Sequence, residues 1–192
     1  MLGFPEQLEF LDTLSDAELE PFGGRADVTA MMRKAALATC DFYIAHTSSD
    51  GIPYWDTGAP NLHKLGDYTQ GPADPYNPWE PVDASAAAIG AQGLLRLGQW
   101  LEQHGESGAN YRHAGLTVLA TLLDEPYLST GAGHQGLLLH SVYHRPNGWD
   151  HVPAGQKVPC GESSMWGDYH LREAALYVQR MAENQSYLKF WS

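Results

Sequence analysis

The chain has 192 residues, 43% hydrophobic and 18% charged, a composition that supports a packed core and excludes bulk disorder. Its 11 Lys and Arg against 23 Asp and Glu give a formal net charge of −12, which excludes a nucleic-acid or anionic-membrane surface. No apolar run is long enough for a membrane helix and no basic head followed by an apolar stretch marks a leader, so the expectation is a cytoplasmic chain whose Cys40 and Cys160 are free thiols.

The periodicity predicts helix throughout. Residues 5–19 form one or two short helices, with Pro5 accommodated in a first turn, until Pro21 and Gly23–Gly24 break the chain. From Asp27 to His46, Val28, Met31, Met32, Ala35, Ala36, Phe42 and Tyr43 recur at helical spacing, and Ser48 to Gly51 end the run. Residues 51–81 are a long Pro-, Gly- and aromatic-rich loop of the kind that carries function in compact domains. Asp83 to His104 reads as a helix apolar on several sides, capped by Asp83 and stopped by Gly105. Ser107 is the expected cap of the next helix, which buries Tyr111, Val118, Leu119 and Leu122 and ends before Pro126. A second irregular region, 129–165, contains one apolar knot, Leu137–Leu138–Leu139. The last helix starts near Trp166–Gly167–Asp168 and carries a one-face stripe through Leu171, Ala174, Ala175, Val178 and Met181. No alternating strand pattern of useful length occurs. The fold class is all-α: helical hairpins joined alternately by short and long loops, with both long loops on one side.

Some chemistry is excluded at this level. His140 and His144 have the i,i+4 spacing of a zinc pair on a helix, but Pro146 and Gly148 follow and no third ligand is near, so no metal is expected. Ser163–Ser164 lacks the flanking glycines of a nucleophile elbow.

Three segments in order resemble the unsaturated glucuronyl hydrolases. They are Asp50-Gly51-Ile52-Pro53-Tyr54-Trp55-Asp56 followed by Ala59-Pro60; Asp83-Ala84-Ser85-Ala86-Ala87-Ala88-Ile89 running into Gly93-Leu94-Leu95; and Trp166-Gly167-Asp168-Tyr169 followed by Glu173-Ala174-Ala175-Leu176. Gly136 to Ser141 and Tyr143 also fit, and the resemblance spans about residues 26–182. It implies that residues 1–192 are a single partial domain, the C-terminal half of an (α/α)6 toroid. It further implies no cofactor, no metal, and a ligand that is a uronic-acid-containing oligosaccharide. The reaction implied is protonation of a C4=C5 double bond by an aspartate, addition of water at C5, and opening of the hemiketal to release the partner sugar.

The resemblance places the catalytic aspartates upstream of Met1, so the chain is expected to lack them and either to self-associate or to need an N-terminal half. The substrate-binding candidates are Trp55, Asp56, His140, Tyr143, Arg145, Trp166 and Tyr169. Trp55 can stack on a sugar or anchor its loop, and Asp56 can bond a hydroxyl. His140, Tyr143 and Arg145 can line a cleft, with Arg145 facing an anionic substituent. Trp166 and Tyr169 divide between cleft and core, while Asp83 and Asp168 read first as helix caps. A chain of this net charge repels an anionic sugar, so any such site must supply local positive charge. Two alternatives stand beside this reading: a non-catalytic helical carbohydrate-binding or assembly module, and an unsaturated rhamnogalacturonyl hydrolase.

Overall fold

The computed structural model describes residues 1–187. Within them are six α-helices: α1 (Gly3–Leu11), α2 (Asp16–Leu19), α3 (Arg25–His46), α4 (Ala84–Gln103), α5 (Ala109–Leu122) and α6 (Met165–Ala182). No strand forms among the described residues; only the isolated bridges Tyr54–Val82 and Leu128–Leu138 pin the two long loops.

The helices stack in two layers, and their directions follow from residue pairs. Leu2 abuts Gly93, Glu9 bonds Arg96 at 2.6 Å and Asp12 accepts from Trp100 Nε1 at 2.9 Å, so α1 runs parallel to α4. Trp166 meets Ser85, His170 meets Gln92 and Tyr177 meets Gln99, so α6 is parallel to α4 as well. In contrast, Tyr43 lies on Gly90 while Arg33 bonds Glu106, and Gly115 lies on Leu95 while Arg112 lies on Gly98. Helices α3 and α5 are therefore antiparallel to α4 and form the other layer. Parallel helices in one layer and antiparallel ones behind it are the repeat of an α/α hairpin wall.

Helix α4 is the middle member of the parallel layer and is buried on nearly all sides, from Ala84 to Leu101. Its small residues allow this. A Cβ on Gly108 would lie 1.9 Å from the Gly98 carbonyl oxygen, so α4 and the start of α5 touch through bare backbone. This explains why Ser107 does not cap α5: Gly108 is the N-cap, with no side-chain bond, and the backbone crossing takes precedence over a cap. The buried Arg96 ties the parallel layer together, facing Glu9, Glu6 and Glu173 from α1 and α6. Carboxylates around a buried guanidinium keep its charge compensated.

Both α4 and α6 start at the same end of the wall, and both long loops gather there. Ala84 N donates to His140 O at 3.0 Å and Asp83 N to Pro53 O at 2.9 Å. The expected one-sided placement of the loops is observed. Cys40 is buried and Cys160 half-buried, and neither is in a disulfide.

Candidate functional site

Where α4 and α6 begin, three carboxylates fasten the second long loop by its main chain. Asp83 caps α4 through Ser85 N (3.0 Å) and Ala86 N (3.2 Å), and the same oxygen accepts from Val142 N at 3.3 Å. Burial raises this carboxyl above its ordinary value and outweighs the hydrogen bonds that lower it. Asp150, buried, accepts from the amides of Tyr143 and His144. Asp168 accepts from Leu137 N at 2.9 Å and Leu138 N at 2.8 Å. Asp168 is thus a long-range clamp and not the expected cap. Ser164 caps α6, its Oγ accepting from Gly167 N at 3.1 Å.

This fastening presents a row of aromatic rings. Ser85 Oγ donates to Asp83 at 2.6 Å and accepts from Trp166 Nε1 at 3.0 Å, which sets the indole at the mouth. Tyr143 lies against Trp166 with centroids 5.5 Å apart and against Trp149 at 5.8 Å, each pair tilted about 30°. His144 also lies against Trp149, with centroids 4.9 Å apart. Tyr143 and Trp149 are 59% and 61% exposed, too open to be core. An exposed patch of rings held by hydrogen bonds is a surface on which a flat or apolar face can stack. Arg145 follows in the 145–147 turn, half-buried, with no ion pair among the described residues.

The other candidates fall elsewhere. His140 is buried beneath the loop in a left-handed conformation (φ 65°), between the edges of Tyr76 and Tyr127, with Nδ1 accepting from Gly161 N at 3.1 Å. It latches loop to loop and lines no open cleft. Burial holds its pKa down to about 4, so the ring is neutral with its proton on Nε2. It shares no helix with His144, and no group of three or more metal-ligating side chains assembles among the described residues. Trp55 donates to the buried Glu80 at 2.7 Å and Asp56 closes its own turn onto Gly58 N at 2.6 Å, so both build the first loop. Neither bonds the ring row. Tyr169, 55% exposed, lies one turn along α6 from Trp166, beside a cavity of about 550 Å³ with Met165, Arg172 and Leu176. Its hydroxyl is pushed up by the nearby Glu173 carboxylate, then by burial. Trp149 and Asp150 went unnoticed in the sequence; the signal was the Asn147-Gly148 turn that sets an aromatic residue on a loop tip.

The fold and its mouth define a segment of an α/α-barrel wall that carries a ring-lined loop face. No family model matches the chain. Among curated proteins it is similar to the unsaturated glucuronyl hydrolases of Bacillus sp. strain GL1 (24% identical; 82% of this chain, 34% of that protein) and Formosa agariphila (29% identical; 76% and 30%). It is also 25% identical to the unsaturated chondroitin disaccharide hydrolase of Streptococcus agalactiae over 71% of this chain. The chain spans about a third of the length of these relatives. Among solved structures, the unsaturated glucuronyl hydrolase of the Bacillus strain superposes with a TM-score of 0.58, at 24% identity over 79% of this chain and 34% of that one. A mutant of the Streptococcus agalactiae enzyme complexed with dGlcA-GalNAc6S gives 0.56, at 22% identity over 92% and 36%. The chain resembles the unsaturated glucuronyl hydrolases in sequence over most of its length, and it shares their all-α barrel fold.

Proposed function

We propose that this chain is the sugar-binding wall of an unsaturated glucuronyl hydrolase-type barrel, and that the acid of the reaction comes from residues other than those described here. The observation that carries the reading is the division of labour at the mouth. The rings of Tyr143, Trp149 and Trp166 are open, while Asp83, Asp150 and Asp168 are all committed to backbone amides. A carboxylate that accepts several amide bonds is held as an acceptor and is poorly placed to deliver a proton to a double bond. In this reading the rings stack the sugar, Arg145 faces its anionic group, and Tyr169 lies beside the cavity next to them.

The catalytic step, protonation at C4 with water adding at C5, is supplied by aspartates of a further barrel segment. Helix α3 supports such a complement: Met31 and Phe42, eleven residues apart and so on one face, are 62% and 50% exposed. An N-terminal half or a second copy would cover them.

Titration of the purified chain with an unsaturated glucuronyl disaccharide, read by tryptophan fluorescence and calorimetry, tests the proposal. Binding should weaken about 10-fold in Trp149→Ala and in Trp166→Ala, the loss of one ring contact of roughly 1.4 kcal/mol. Loss of the C4=C5 absorbance should stay at the uncatalysed rate. Turnover by the chain alone at roughly 1 per second or more would overturn the assignment of the aspartates as structural.

A further inference from the structure

We propose that Lys64, Trp79 and Lys157 form a second, separate subsite for a sulfate or carboxylate group carried by a sugar beyond the one stacked on the Tyr143 face. This rests on the reading of that face as a site for uronic-acid oligosaccharides.

The three residues come from two different loops. Lys64 lies in the 3-10 turn Leu62–Leu65, Trp79 near the end of the same loop, and Lys157 in the second loop. Their side chains converge: Lys64 Nζ lies 4.5 Å and Lys157 Nζ 5.8 Å from the centroid of the Trp79 ring. The ring has a rigid base. Trp79 N donates to Asn77 Oδ1 at 2.9 Å, and the adjoining Glu80 is buried with its carboxylate bonded by Trp55 Nε1, Asn61 N and Asn61 Nδ2.

Neither ammonium has a carboxylate within ion-pair distance among the described residues, in a chain of net charge −12. A cation–π tie between the loops needs only one lysine. A second places like charges on the same ring, where they repel each other, and an anion beside both relieves that repulsion.

The position suits a longer ligand. Lys157 follows Trp149 by eight residues, so the two are less than about 30 Å apart and belong to the same loop as the ring face. The charge pattern agrees: an acidic chain that takes an anionic sugar must concentrate cations where the ligand's charges fall.

The test is calorimetric titration of the 192-residue chain with three probes: a sulfated uronate-containing tetrasaccharide, the unsaturated glucuronyl disaccharide, and sodium sulfate. The tetrasaccharide should lose about 3–10-fold in affinity in each of Lys64→Gln and Lys157→Gln, more in the double variant, and its salt dependence should flatten. Disaccharide affinity should be unchanged, and Lys64→Arg with Lys157→Arg should retain tetrasaccharide binding. Sulfate binding that disappears in the double variant supports the same site with the anion alone as ligand. Unchanged tetrasaccharide affinity in a folded double variant overturns the proposal and leaves the lysines as a loop tie. Failure of the ring-face reading looks different: the wild-type chain then ignores the disaccharide while anion binding still depends on the lysines.

Discussion

Replacing Asp168 with alanine separates two roles that the sequence alone cannot tell apart. A carboxylate in the first turn of a helix stabilises through the dipole by about 0.3–1 kcal/mol. The structure gives Asp168 more to do, because its oxygens accept from Leu137 N at 2.9 Å and Leu138 N at 2.8 Å, thirty residues away. Leu138 is fully buried, so its amide has no route to water once the acceptor is gone. Each stranded donor costs about 1–3 kcal/mol, and the half-buried Leu137 amide falls at the lower end, for a total of roughly 2–4 kcal/mol. At about 2–4 °C per kcal/mol for a chain of this size, the melting temperature should fall by roughly 5–15 °C. Asp168→Asn should fall by about half as much, since one carbonyl oxygen can still receive both amides. Calorimetric melting, with hydrogen exchange at residues 137–139, reads both effects, and exchange there should accelerate while the body of α6 stays protected. A fall of under about 3 °C with unchanged exchange would reduce Asp168 to a first-turn charge and undo the argument that it fastens the loop.

Two further outcomes follow from the packing. His140 has its folded pKa lowered to about 4 by burial, so between that value and its unfolded pKa near 6.5 the unfolded chain binds more protons. Its contribution is therefore complete above about pH 6.5 and is lost as pH falls toward 4, by roughly 3 kcal/mol in all. Melting curves from pH 7 to 4.5 should be flatter in His140→Asn, a residue that tolerates the same backbone; equal slopes would refute this. Gly108→Ala should cost more than about 3 kcal/mol, because its Cβ would strike the Gly98 carbonyl oxygen at 1.9 Å, whereas Gly105→Ala, in open space at φ 76°, should cost about 1. Equal melting temperatures for the two variants would show that the α4–α5 crossing can open without penalty.

The helices were legible because each shows a local period. The stripe in α6 and the all-round burial of α4 are written in consecutive residues, and their boundaries fall within a few positions of those expected. The caps were less legible. Ser107 is a good cap by type, yet the next residue is committed to a backbone contact with Gly98, which no local pattern announces. Of the candidate site residues, Tyr143 and Trp166 come together, and Trp149 joins them from a turn. Trp55 and His140 face inward because their partners, Glu80 and Gly161, lie 25 and 21 residues away. Long loops hide their geometry for that reason: the bonds that shape them join residues distant in the chain, and a window of neighbours cannot register them.

The clamps at the mouth have one more consequence. Asp83, Asp150 and Asp168 grip amide hydrogens, a feature that every residue except proline offers identically. Where the loop runs is thereby uncoupled from which side chains it displays. Positions 142, 143 and 145 can be rewritten while their path over the wall stays fixed, provided that proline is kept from the gripped amides; His144 also caps the following turn with its ring, at Asn147 N. The mouth behaves like a socket with interchangeable fittings. A library varied at those few positions should yield folded proteins far more often than one varied at the rings' supports, Ser85 and Asp83.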